Sequence, residues 1–386
     1  MIAFKLAYRN LIGAGLRTWL NVTVLSFAYV VIIFHQGLID GWHRQGLLDL
    51  KAWEVGGGHL WHPAYNRYDP ITFQDSHRNI DDKLIKKFNE GQIAPVLVVQ
   101  ASAYPDGRLI SVILKGIAPR QEIVSIPTRY LADNNAVNAV IGTRMAKLMK
   151  VKEGDNILIR WRDKNGVFDA TEVHIIKIFK CDVPSVDNGQ IWLSLENLQK
   201  MTGLVNEATY FILSESYNEG KTDEWKFIPP SYLTRELDEI IRSKRGGGMI
   251  MQGILLIIAL LAIFDTQVLS IFRRQREIGT YIALGMTRPQ VIGIFTVEGA
   301  AHSVFAALAG AVYGIPLFIY LAKYGISFGF GDMGLTLADT LYPYYSLELI
   351  FWTVLIVVLA ATIVSYLPAR RIAKMKPTEA LKGKLQ

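Results

Sequence analysis

Cysteine is nearly absent: Cys181 stands alone in 386 residues, so no internal disulfide can staple the chain. Charge is sparse. Lys, Arg, Asp and Glu make up 19% of the residues, below the roughly 25% usual in soluble domains. A hydrophobic share of 51% excludes a disordered chain. Several catalytic signatures are also missing. A phosphate loop needs two glycines framing a cradle of backbone N–H groups. Gly220-Lys221-Thr222 supplies only its second half, because Glu215 stands where the first glycine belongs. His59 and His62 lie three apart, which puts them on opposite faces of a strand, and no Cys pair or H-E-x-x-H accompanies them. They read as structural. No G-x-S-x-G nucleophile elbow occurs. The net charge of +7 admits a nucleic acid or a membrane as partner, and only its distribution decides between them.

Four long apolar runs are present. A spanning helix needs about 20 mostly apolar residues. Trp19–Leu38, Met249–Ile271, Val291–Ala322 and Leu347–Leu367 meet that need. The first lacks a small-residue cleavage pattern and reads as an uncleaved anchor. The 200 or so residues between the first two runs have another character. Strand-like segments at Val96–Gln100, Leu109–Lys115, Asn156–Trp161, Glu172–Phe179 and Gln190–Leu193 alternate with turns at 105–107, 164–166 and 187–189. Helical segments are expected at Asp81–Asn89, Thr143–Met149 and Leu195–Met201. The expected fold is therefore membrane α-helical, four transmembrane helices with a large α+β extracytoplasmic domain inserted between helices 1 and 2. Residues 1–40 hold an amphipathic N-terminal helix and the first span. Residues 41–245 form the inserted domain, and 246–386 carry the other spans, a cytoplasmic loop at 272–290 and a basic tail. Gly246-Gly247-Gly248 is expected to be a hinge.

The bases decide the orientation. Lys5, Arg9, Arg17, Arg273, Arg274, Arg276, Arg288 and six Lys/Arg of the tail from Arg370 to Lys384 meet only Glu277 and Glu379 in those three segments. Lys and Arg collect on the cytoplasmic side of short loops. Both termini are thus expected inside and the large domain outside, and the charge is explained without nucleic acid. Gly310-x-x-x-Gly314 offers a small-residue face, either for the second or fourth span of the same chain or for a second copy. Asp265 and Glu298 are costly in lipid. Glu298 is expected to be structural or interfacial, and Asp265 to cap the helix or pair with Arg273 or Arg276.

The loop FRRQREIGTYIALGMTRPQVIGIFTVEGA (272–300) holds a short amphipathic piece between glycines, then restarts a helix at Arg288-Pro289. It resembles the R-x-R-E-I-G-x-x-x-A-L-G segment of the FtsX-like, or MacB-type, ABC transporter permeases. The tail SYLPARRIAKMKPTEAL, the start AYRNLIGAGLRTWLNV and the stretch VIGTRMAKLMKVKEGDNILI resemble other parts of that family. GLIDGWHRQ with GGGHLWHPAYN, and ILKGIAPRQE, are similar to the lipoprotein-releasing (LolC/LolE-like) branch, although Ala64-Tyr65 replaces that branch's Gly-Tyr.

The resemblance implies a non-catalytic permease in the bacterial inner membrane, working as a dimer with itself or a paralogue. A separate cytoplasmic ABC ATPase would bind the ATP and Mg, and this chain would hold no cofactor. ATPase coupling would fall to Arg274, Arg276, Glu277, Ile278, Gly279, Ala283, Leu284, Gly285 and Arg288. Motion would pass outward along the second span, and a lipid-anchored protein would be lifted from the outer leaflet past Phe34, Leu38, Leu256 and Ile263. Two alternatives are an efflux permease with a periplasmic adaptor, and a mechanotransmitting regulator of a cell-wall hydrolase.

Overall fold

A computed structural model describes residues 16–132, 136–217, 224–327 and 340–372, with side chains described for 19–370 within those stretches. The expected N-terminal amphipathic helix, the Gly220-Lys221-Thr222 turn and the basic tail beyond 372 lie outside the described residues. The chain divides into two compact units, one of Met1–Trp42, Ile240–Ser327 and Thr340–Gln386, the other chiefly His43–Glu239.

The first unit is helical. Four helices are long and apolar enough to cross a membrane: α1 (Leu16–Leu50), α7 (Arg235–Arg273), α9 (Arg288–Tyr324) and α10 (Leu347–Ile372). At 1.5 Å per residue, helices this long exceed the ~30 Å hydrocarbon core. The expected spans are the apolar middles of longer rods. The apolar core of the bundle joins Val22, Leu25 and Tyr29 of α1, Ala259 and Ile263 of α7, Ala306 of α9 and Val357 and Ala361 of α10. α1 is the most enclosed of the four. Gly310 and Gly314 bring α9 against it: a Cβ on Gly314 would come within 2.9 Å of Val30, and one on Gly310 within 3.2 Å of the Ser26 carbonyl. The small-residue face thus meets the first span of the same chain, where the second or fourth was expected.

The expected hinge is helix. α7 runs unbroken through Gly246–Gly248. Each glycine costs about 1 kcal/mol in a helix, and contacts to α1 offset that. Arg245 donates to Asp40 at 2.6 Å, and Gln252 bonds Gln36 at 3.1 Å and His35 at 3.0 Å. Gly248 lets His35 lie where a Cβ would be. Lower down, Asn21 donates to Thr266 at 2.6 Å. Amide and hydroxyl groups facing across two helices satisfy each other where no water can.

The second unit is α+β, as expected. Its nine-stranded sheet uses β1 (His59–Trp61), β3 (Ile93–Ala103), β4 (Ile110–Ile117), β5 (Asn138–Gly142), β6 (Asn156–Arg162), β7 (Phe168–Phe179), β8 (Gln190–Ser194), β10 (Tyr210–Leu213) and β11 (Lys226–Ile228), in the order β11-β1-β10-β3-β4-β8-β5-β7-β6. A small pair, β2 (Arg78–Asn79) with β9 (Glu207–Ala208), lies outside it. β3 is long enough to serve two neighbours. Its first residues pair with β10, and Ala101–Ala103 pair with Trp161–Ile159 of β6. That second pairing closes β3-β4-β8-β5-β7-β6 into a ring. Pairs β4–β8 and β5–β7 are parallel and the rest antiparallel.

Side chains alternate across a strand, and the ring separates them into two cores. Leu97, Val112, Leu114, Ala139, Ile141, Ile159, Val173, Ile191 and Leu193 share one, closed by Met145 and Met149 of α3 (Thr143–Met149) and Leu198 of α5 (Leu195–Thr202). Ala94, Val96, Val98, Ile117, Val140 and Trp192 point to the other, with Val55, Trp61 and Tyr210. Both faces of the central strands are therefore buried. The remaining helices are α2 (Asp82–Asn89), α4 (Pro184–Asp187) and α6 (Pro230–Leu233).

Candidate functional site

The RxREIG segment forms α8 (Gln275–Ala283), set between α7 and α9. Arg274 is the single break residue, with φ −101° and ψ 17°. The far end closes as a Schellman motif: Met286 N–H reaches the Tyr281 carbonyl at 3.0 Å and Gly285 N–H the Ile282 carbonyl at 3.1 Å. Gly285 has φ +96°, a conformation that suits glycine, so the closing glycine of the motif is a helix stop. α9 then starts at a capping box, Thr287 with Gln290, and Pro289 in its first turn.

The nine residues assigned to coupling divide into two faces. Ile278, 2% exposed, packs with Ile271, Val291, Phe295 and Ala369, and Gly279 is buried beside it. Arg276, Glu277, Ala283, Leu284, Gly285 and Arg288 are exposed, and Leu284 stands 79% exposed at the helix end. Arg274 turns inward: its Nη1 donates to Glu298 at 3.1 Å and its Nε to Glu277 at 2.8 Å, and it lies 5.3 Å over the Phe295 ring. Glu298 is thus buried and structural. Asp265 is exposed on α7, and among the described residues it forms no ion pair with Arg273 or Arg276.

Of the four residues proposed to line a substrate path, Ile263 is buried in the bundle core and Leu256 packs beside it. Phe34 packs with Phe318 and Tyr345, and Leu38 is half-buried. Leu256 and Ile263 come together; Phe34 belongs to a separate cluster.

A second constellation was not anticipated. After α1 the chain makes a π-turn (Lys51–Val55) and passes into β1 through Gly56-Gly57-Gly58. There is no room for side chains there. A Cβ on Gly56 would lie 2.6 Å from the Leu213 carbonyl oxygen, one on Gly58 2.9 Å from that of Ile228, and one on Gly57 would collide with that of Ser214. Gly56 and Gly58 also have positive φ, +54° and +118°. Just before this threshold Trp53 stacks on Phe179 at 5.5 Å, and Glu54, 9% exposed, points into the core.

Glu54 accepts from the Ser185 hydroxyl at 2.5 Å and pairs with Arg67 at 3.5 Å. Lys115, 5% exposed, lies 5.0 Å over Trp192 and 5.9 Å from the Tyr210 ring centre. Burial raises the Glu54 carboxyl, but the charges of Lys115 and Arg67 outweigh it and hold Glu54 below its usual range. Burial pulls Lys115 down to about 8 against the opposing pull of Glu54. His59 accepts from the Trp61 indole through Nδ1 (3.0 Å), so its Nε2 carries the proton donated to the Glu54 carbonyl at 2.9 Å. Burial lowers it to about 4, keeping it neutral. Both ring nitrogens of His59 are thus engaged within the fold. Among the described residues, no three His, Cys, Asp or Glu are placed to hold a metal. An open cleft elsewhere in this unit, lined by Gln74, Gln100, Arg160, Arg162 and Phe168, involves none of the anticipated residues.

Comparison with known proteins agrees with this architecture. Residues 249–377, which hold α8 and most of the three later long helices, match the FtsX-like permease C-terminal family. Over that segment and beyond it, the chain is similar to FtsX-like, MacB-type ABC transporter permeases. Relatives include the uncharacterized ABC transporter permease MJ1507 of Methanocaldococcus jannaschii, 29% identical over 66% of this chain and 64% of its own length. The uncharacterized permease YknZ of Bacillus subtilis is 24% identical over 56% of this chain and 50% of its own. The macrolide export ATP-binding/permease protein MacB of Vibrio parahaemolyticus is 29% identical over 33% of this chain and 17% of its own. The chain thus spans less than two thirds of each of these relatives. A crystal structure of the extracellular domain of YknZ aligns with a TM-score of 0.28 and 13% identity, covering 44% of this chain and 98% of that one.

Proposed function

We propose that the chain is the membrane subunit of an ATP-driven transporter and takes its power stroke from a separate cytoplasmic ABC ATPase. One observation carries this reading: α8 is fastened to its own bundle by Ile278 and Gly279 while Leu284 projects, 79% exposed, between exposed Arg276 and Arg288. A short helix with one held face and one free apolar knob suits a groove on a partner. Burying a leucine gives roughly 1.5–3 kcal/mol, and the flanking arginines steer an acidic rim. The α/β unit lies outside the cell membrane in this reading and moves as the ATPase opens and closes, in a dimer of permeases.

The substrate we assign is a lipid-anchored protein, on the strength of the GGGHLWH and ILKGIAPRQE runs. Gly56–Gly58 and Lys115 in those runs are needed by the fold, so they weigh for ancestry more than for cargo. Export of a small molecule is the second reading, favoured by the relative named for macrolide export.

The test is co-purification and binding in detergent. Wild-type chain should bring down an ATPase, and Leu284→Asp should lose it with no change in thermal stability. Retention of the ATPase by Leu284→Asp would remove α8 as the docking element. Identification of the co-purifying outer partner, lipoprotein or adaptor, decides between the two cargoes.

A further inference from the structure

We propose that Arg274 is a positioning residue, the clamp that fixes α8 to α9, and makes no contact with the ATPase. The proposal rests on α8 being the docking element and adds how that element is held. α7 and α8 are separated by one non-helical residue, so the backbone alone does not fix the angle between them. Arg274 sits at that break and reaches two helices at once. Its Nε meets Glu277 on α8 and its Nη1 meets Glu298 on α9, in sequence 24 residues away. Phe295, one turn before Glu298, lies beneath the guanidinium.

The chemistry suits arginine alone. A planar fork can address two carboxylates in different directions, where a lysine ammonium offers a single point. The two carboxylates also differ. Glu277 is more than half exposed and its attraction is screened, whereas the Glu298 side chain is 6% exposed and has little water to compensate it. The Arg274–Glu298 contact is therefore the one that holds. Around it, Ile271, Ile278, Val291 and Phe295 exclude solvent. A push on α8 passes through this joint to α9 as well as to α7, so the third span moves with the second.

The joint can be read without any partner. In the full-length chain, nitroxides are placed at Ala283→Cys on α8 and Leu308→Cys on α9, both exposed positions. The native Cys181 is buried and does not compete for label. Electron–electron distance measurement should give one narrow peak. Arg274→Ala and the isosteric Glu298→Gln should each lose it to a broad distribution, and the exchange Arg274→Glu with Glu298→Arg, made with Glu277→Gln so that no like charge faces the new carboxylate, should restore it. A narrow peak in both single variants overturns the clamp, as does a broad one in the charge-exchanged chain. Glu298→Gln stands in where Arg274→Ala aggregates. Loss of ATPase binding in Leu284→Asp is measured separately, so failure of the docking helix and failure of its clamp are distinguishable.

Discussion

Glu54→Gln is a sharp test of the buried constellation after α1. The amide keeps the shape of the side chain and removes its charge. An ammonium on Lys115, 5% exposed, then has no anion to offset it, so burial pulls Lys115 down further, and Ser185 faces an amide. Removing one member of a buried charged group costs about 3–5 kcal/mol. Arg67 and Lys115 share the loss unequally, since Arg67 is partly exposed, so the lower end, about 3 kcal/mol, is expected. The double variant Glu54→Gln with Lys115→Met removes both charges and should recover most of that loss, because neutral replacement of a whole buried pair is often tolerated.

The pH dependence has a definite sign. Folding lowers Lys115 from 10.5 to about 8. Between those values the unfolded chain holds the extra proton, so stability rises with pH. The penalty of Glu54→Gln should accordingly shrink between pH 7 and pH 9.5, as the folded state sheds the stranded proton. Denaturant unfolding of the full chain in detergent, followed by tryptophan fluorescence, measures it; Trp61 and Trp192 lie beside the charges. A single variant within about 1 kcal/mol of wild type would refute the reasoning. So would a double variant less stable than the single.

Four further outcomes are expected. Gly58→Ala, at φ +118° and against the Ile228 carbonyl, should destabilise the same transition by about 1–3 kcal/mol, while Gly189→Ala, which meets nothing within 4 Å, should lose less by the same assay. Neutral His59, lowered from 6.5 to about 4, contributes stability that is lost as pH falls across that window. The stability difference between wild type and His59→Gln should therefore fall by on the order of 3 kcal/mol from pH 7 to pH 4. Cys181 is buried and pushed up to about 12, chiefly by burial, so maleimide at pH 7 should label it only after denaturation. Asn21→Leu removes the bond to Thr266 and should lower the thermal midpoint in detergent by an amount corresponding to roughly 0.6–2 kcal/mol.

Long patterns were legible and isolated charges were not. Four apolar runs announce four helices, since lipid permits little else, and the strands Asn156–Trp161 and Glu172–Phe179 show themselves by alternation. β5 and β10 were missed because they are short and buried on both faces, which leaves no period to detect. Lys115 was missed for a related reason. Within SVILKGI, alternation sets it opposite Leu114, and a lysine there reads as the solvent face. The ring of strands buries that face too. In the loop, the motif located α8 correctly but treated every charged residue in it as surface. The signal for Arg274 was Glu298, an acid within an apolar run that required a cation from somewhere. The glycines at 246–248 read as a hinge because local propensity was all the sequence offered. The His35 and Asp40 contacts that keep the helix intact come from more than 200 residues away.

Closure of the strand ring limits how other chains can attach. An open sheet edge invites a foreign strand, because its N–H and C=O groups are unpaired. Here β3 is engaged along both sides, by β4 on one and by β10 then β6 on the other. Among the described residues the outermost strand of the large sheet is β11, only three residues long. The large sheet of this unit is therefore a poor seed for strand addition and for edge-to-edge aggregation. Whatever recognises it must read side chains on its surface and cannot borrow its backbone.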